Sequence, residues 1–335
     1  MQYFGTLPVI KKKLPKWMKK KISCLIVIIV VLLGCAGKVR AQHDAALSHY
    51  FMATSYYNPA AAGSTEDLRM VALYNQMWVG WPRASRTVFV NADMPLKIKK
   101  TQHGVGLAIS YNGEGLSQYI RVGAQYAYKQ KLFGGVLSGG VQIALLNHVF
   151  QADSIYIPQS DYHQQVDEAF PTTNAQAMAL DINVGLFYTH KQFYAGVGYT
   201  HITNPTMQLE ETVYTWIGSL INFMAGYNIP LRNPLYELQP SVFFLTDMTN
   251  FHTDITARLE YNKMFNGGIA WRVNESVGLL LGAKLGRFQV GYAYSYPTTA
   301  VRKATTGNHE IVVQYRLKLN KTKSGKNKHK SVRIL

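Results

Sequence analysis

The sequence predicts an all-β protein: a closed antiparallel transmembrane β-barrel of about 14 strands with up-and-down topology. Three observations lead there. From Glu66 to Leu319, apolar and polar residues alternate with period two, as in strands with one greasy and one polar face. The alternating segments number fourteen, an even count, as single-chain bacterial barrels require. Finally, the connections sort by parity. The longest, 148–177, 203–211 and 297–307, follow odd-numbered segments, while tight ones at Lys191-Gln192 and Gly286 follow even-numbered segments. Short turns at one end and long loops at the other are the outer-membrane pattern.

Taken in chain order, residues 1–41 read as an export signal. Lys19-Lys20-Lys21 forms a positive start, Ile22 to Gly34 an apolar core, and Val39-Arg40-Ala41 a small-residue cleavage site before Gln42. Met18 offers a second start codon. Leu32-Leu33-Gly34-Cys35 offers lipidation at Cys35 as an alternative to cleavage after Ala41. Both cysteines, Cys24 and Cys35, lie inside this signal, so the exported chain has no disulfide framework and no thiol nucleophile.

Residues 42–65 precede the first strand and carry turn signals at Asn58-Pro59 and Gly63-Ser64. They are expected to form a periplasmic lead-in or a plug. The barrel proper spans 66–319. In its thirteenth segment Phe288, Val290, Tyr292, Tyr294 and Tyr296 share one face, opposite Gln289, Gly291, Ala293 and Ser295. Elsewhere Arg69, Arg121, Lys129, Asp181, Arg258 and Glu260 fall on polar faces and are expected to line the lumen. The eighth segment is expected to run unbroken over 212–227. Aromatic residues near segment ends (Trp78, Trp81, Trp216, Trp271, Tyr111, Tyr296) fit an interfacial girdle. Residues 320–335 are basic and read as a disordered tail.

The formal charge of +17 does not point to nucleic acid. Nine cations lie within 1–41 and six within 320–335, neither stretch containing an acid, which leaves the body at +2. The charge belongs to the two ends.

Several stretches resemble the PorP/SprF family of type IX secretion outer-membrane proteins. Tyr56-Tyr57-Asn58-Pro59-Ala60-Ala61-Ala62-Gly63-Ser64 is similar to its opening motif, and Trp78-Val79-Gly80 to the close of its first strand. Asp181 to Tyr188, followed by Lys191 to Gly196, resembles a central Asp-led strand pair. Tyr292-Ala293-Tyr294-Ser295 and Gly307-Asn308-His309-Glu310-Ile311 resemble the last two strands. The start Gln42-His43-Asp44 and the long basic tail depart from the family pattern. The resemblance implies a non-enzymatic component of type IX secretion that supports export or cell-surface anchoring of a cognate protein, including gliding adhesins. Implied partners are outer-membrane lipid, secreted cargo with a C-terminal type IX sorting domain, and periplasmic type IX components. A general porin or solute channel is the alternative.

The long loop 148–177 holds Tyr156, Tyr162 and Phe170 among polar residues and is the candidate partner surface. No catalytic, cofactor or metal site is expected. His309-Glu310 resembles half of a zinc-protease motif, but Val313 stands where the second histidine would be. The pairs Gly104-Val105-Gly106 and Gly196-Val197-Gly198 lack a helix to receive phosphate and are expected to ease wall curvature.

Overall fold

The computed structural model describes residues 44–152, 171, 173–211 and 213–319. The export signal, the basic tail, and Tyr156, Tyr162 and Phe170 lie outside the described residues.

The wall strands are β1 Leu68–Gln76, β2 Arg86–Ile98, β3 Thr101–Glu114, β4 Ser117–Leu132, β5 Gly135–Phe150, β6 Ala175–Thr189 and β7 Phe193–Thr200. They continue as β8 Leu220–Tyr227, β9 Tyr236–Thr246, β10 Phe251–Tyr261, β11 Phe265–Arg272, β12 Ser276–Leu285, β13 Phe288–Pro297 and β14 Asn308–Leu317. Each pairs antiparallel with its sequence neighbours. The ring closes where β1 meets β14, from Leu68 opposite Leu317 to Gln76 opposite His309. The result is the closed 14-strand barrel that the alternation and even strand count predict, with each strand paired to a neighbour on both sides.

Alternation sorts the side chains as expected. Leu107, Leu145, Ile255, Leu279, Leu281 and Ile311 stand on the outer face, while Phe89, Arg121, Asp181 and Glu310 are buried inside. Turn chemistry fixes the tight end. Phe133 and Gly134 take φ values of 48° and 77°, the positive pair that a two-residue hairpin needs to match strand twist.

The eighth segment differs from its expectation. Tyr214–Trp216 leaves the wall and pairs with Thr206–Gln208 in a separate hairpin. Packing explains the break: Ile217 and Met207 are buried with Tyr119 and Leu146, and the Ile217 amide donates to the Pro205 carbonyl at 3.1 Å. Burying Ile217 there turns the chain before the wall begins at Leu220.

The expected aromatics all sit at the long-loop end, with Trp81, Trp216, Trp271 and Tyr296 exposed. A second belt, unforeseen from the sequence, circles the short-turn end. Its exposed rings include Tyr128, Phe193, Tyr227, Tyr261, Phe265 and Phe288, several in mutual contact, as in Phe193–Tyr227 and Phe288–Tyr315. Two belts bracketing an apolar band match a membrane-spanning wall.

Candidate functional site

Residues 44–63 lie inside the barrel. They run from Asp44, near the long-loop end, to Gly63, whose amide donates to Asp93 Oδ1 at 2.8 Å near the short-turn end. Leu47, Tyr50, Tyr56, Tyr57, Asn58 and Ala60 are almost wholly buried. The segment folds back on itself: Tyr57 Oη donates to the Ala45 carbonyl at 2.7 Å and accepts from the Leu47 amide at 3.0 Å. Burial pushes the hydroxyls of Tyr50, Tyr56 and Tyr57 above the usual tyrosine range, so they stay protonated and can donate.

One side of the wall holds the segment through its backbone. Asn58 Nδ2 donates to the carbonyls of Leu186 (2.9 Å) and Val197 (3.0 Å), while Asn58 Oδ1 accepts from the Ala60 amide. Asn222 Nδ2 donates to the Tyr57 carbonyl at 2.9 Å. Gly104, Gly140, Gly185 and Gly198 face this stretch, and a β-carbon on any of them would collide with Ala62, Ala60, Asn58 or Tyr57 respectively. Gly104 and Gly198 make room for this segment, a role the expectation of wall curvature did not include.

The opposite side uses side chains. Glu310 accepts from the amides of Ser48 (2.8 Å) and His49 (2.7 Å) and meets His49 Nδ1 at 2.7 Å. Tyr50 donates to Ser241 Oγ and stacks on Phe243. The Arg258 guanidinium lies 3.4 Å from the centroid of the Phe51 ring. Arg272, paired with Asp254 at 2.9 Å, donates to the Ala46 carbonyl. At the short-turn end Arg69 binds Asp93 and Ser55.

Near the long-loop end Asp44 meets Arg121 (3.8 Å) and His201 (3.5 Å), and Asp181 meets both from the wall (3.7 and 3.1 Å). Burial opposes charge on His201, but Asp44 and Asp181 outweigh it and raise its pKa to about 9. The imidazolium is therefore part of the network at neutral pH. Among the described residues there is no group of three or more His, Cys, Asp or Glu that could hold a metal ion.

A family model described as "Type IX secretion system membrane protein PorP/SprF" matches residues 39–315. The chain belongs to the PorP/SprF family. No curated protein matches it. Among solved structures, the toluene transporter TbuX of Ralstonia pickettii is 13% identical with a TM-score of 0.47, covering 84% of this chain and 96% of that one. The Pseudomonas putida toluene transporter TodX is 8% identical with a TM-score of 0.45, covering 82% and 95%. The translocator domain of the autotransporter NalP from Neisseria meningitidis is 13% identical with a TM-score of 0.39, covering 76% and 89%.

The PorP/SprF-like motif residues separate into two sets. Tyr57, Asn58, Pro59 and Gly63 belong to the luminal segment, with Asp181 and Glu310 on the wall around it; Ser64 is exposed beside them. The second set gathers toward the long-loop end of β13 and β14, on their lipid-facing side. Val79, between Trp78 and Gly80, donates to the Gly307 carbonyl and accepts from the Thr306 amide, both at 2.9 Å. Tyr294 donates to the Thr306 carbonyl, and Tyr292 Oη lies 2.7 Å from His309 Nδ1. His309 and Glu310 face opposite sides of the wall, as their adjacency on a strand dictates.

Sequence reasoning missed His49, Asp93, Asn222 and the luminal roles of the wall glycines. Their only available signal was placement on the polar phase of a strand, or in the lead-in, beside a small residue.

Proposed function

We propose that this outer-membrane component of type IX secretion supports export or surface anchoring of a cognate secreted protein, without conducting solutes. The observation that carries this reading is the occupied lumen. Tyr50, Tyr56 and Tyr57 sit where a porin would hold water, held by Ser241 and Phe243, by the Arg121 guanidinium, and by Asn222 and Phe243 respectively. In this reading residues 44–65 are a plug, the long loops face outside, and cargo bearing a C-terminal type IX sorting domain docks on those loops, with 148–177 and its Tyr156, Tyr162 and Phe170 as the first candidates. Periplasmic type IX components would meet the short-turn end.

The test is a mild-detergent co-purification from outer membranes, paired with a deletion strain. Recovery of a secreted protein's C-terminal domain, together with loss of that protein from the cell surface at unchanged passive permeability, is the expected result. Steady ion conductance by the purified barrel in planar bilayers, with cargo display intact in the deletion strain, would favour the solute-channel alternative.

A further inference from the structure

On the lipid-facing side of the wall, at the long-loop end of β1–β4, lies a cleft of about 350 Å³. Arg83, Arg86, Trp81, Tyr111, Gln76 and Gln118 line it. Neither arginine forms an ion pair with a carboxylate among the described residues. Arg86 is held in place by its own surroundings: Nη2 donates to Tyr111 Oη at 3.4 Å, and the guanidinium lies 5.7 Å from that ring's centroid. Gln76 Nε2 donates to the Met77 carbonyl at 3.2 Å, which ties β1 to the loop that carries Trp81 and Arg83.

The position of this cleft along the strands matters as much as its lining. Arg86 is followed on the same outer face of β2 by exposed Val88 and Val90. Two residues below Tyr111 on β3 is exposed Ile109, and two beyond Gln118 on β4 is exposed Ile120, followed by Val122. A polar cleft with two guanidinium groups that have no carboxylate partner among the described residues thus stands directly above an apolar strip. An amphiphile with a phosphorylated headgroup matches that arrangement: guanidinium pairs well with phosphate, aromatic rings favour the interfacial level, and acyl chains would follow the strip.

We propose that this cleft binds the phosphorylated headgroup of an outer-leaflet glycolipid, with Arg83 and Arg86 on the phosphate and Trp81 flanking the sugar. The assignment to the outer leaflet rests on the proposed orientation of the long loops; the phosphate chemistry does not.

Native mass spectrometry of the full-length protein, released from outer membranes in mild detergent, tests it. Wild-type protein should retain phosphorylated glycolipid, and the R83A/R86A double variant should lose at least about tenfold of it, since both guanidinium–phosphate pairs are charge-assisted. Heat-modifiable gel migration confirms that the variant barrel is folded. Enzymatically dephosphorylated glycolipid should be retained as poorly as by the double variant, and 10 mM inorganic phosphate, on the order of a weak competitor for a headgroup also held through its acyl chains, should not displace the intact lipid. Equal retention by wild type and double variant, or equal retention of the dephosphorylated lipid, would overturn the site. Retention of phosphatidylglycerol in place of glycolipid would overturn the outer-leaflet assignment and the loop orientation with it. Cargo recovery is read separately, so failure of the docking role and failure of this site remain distinguishable.

Discussion

The two sides of the lumen hold the same segment by different physics. On β3 and β5–β7, glycines bring the wall backbone up to the Asn58–Ala62 stretch, and Asn58 bonds directly to wall carbonyls. On β9–β14 the wall reaches inward with Glu310, Arg258, Arg272 and Phe243 to meet residues 46–51. The first side is specific because nothing larger fits. The second is specific because buried polar groups must be matched. A barrel built this way ought to fail differently on its two sides: by adding atoms on one and by removing them on the other.

The largest effect is expected from the glycine side. Gly139 and Gly140 are neighbours on β5 that face opposite ways. A β-carbon on Gly139 would rest 3.6 Å from Leu186 Cδ2, whereas one on Gly140 would overlap the backbone of Pro59 and Ala60. Gly140→Ala should therefore destabilise the barrel or expel the segment, at a cost of about 1–3 kcal/mol or more, while Gly139→Ala should be nearly silent. Heat-modifiable migration together with protease cleavage within residues 44–65 reads both outcomes. Equal behaviour of the two variants would remove the steric account of this side.

On the side-chain face, Glu310→Ala is the matching experiment. It strips the acceptor from the Ser48 and His49 amides and from His49 Nδ1. Each buried donor left without a partner costs about 1–3 kcal/mol. The expected result is faster proteolysis of the luminal segment in an otherwise intact barrel, with a weaker effect from Glu310→Gln. An unchanged cleavage rate for Glu310→Ala would show that the glycine side alone retains the segment.

The outer face provides a third comparison of moderate size. Ile255→Arg places a charge in lipid, and about 2–4 kcal/mol is expected at mid-depth, read as a drop in the folded fraction after refolding into vesicles. Its neighbour Thr256 would be a harmless control in a water-filled barrel. Here Thr256 is buried against the luminal segment, so Thr256→Arg should also be harmful, by overpacking. That pair marks the boundary of what the sequence discloses. Period-two alternation specifies which face a residue takes, because side-chain direction on a strand is local, and strand number and loop parity follow from it. Whether the inward face meets water or protein is set by contacts such as Asn58 with Leu186, formed 128 residues apart, which leave no local periodicity. The short-turn aromatic belt escaped for a related reason: its rings come from different strands and line up only when the barrel closes. In the lead-in, Gly63-Ser64 marks a turn but not its destination, and the paired charges Arg272–Asp254 show only as polar-phase residues until register puts them opposite one another.

The smallest effect is expected near the long-loop end of the glycine side, around His201. Asp44, Asp181, Arg121 and Tyr56 surround this region. With its folded pKa raised to about 9 from an ordinary 6.5, protonated His201 contributes stability that is fully present below about pH 6.5, the unfolded value. The contribution is lost as pH rises through about 9, because the folded protein then gives up the proton that the unfolded chain has already released. Thermal unfolding in detergent should show wild type above His201→Gln at pH 6, with the gap closing by pH 10. The Asp44→Asn variant should show a smaller gap at pH 6, because part of the attraction that holds the proton is gone. A gap that widens toward alkaline pH would mean that His201 is held neutral, and that Arg121 alone neutralises Asp44 and Asp181 at the mouth of the lumen.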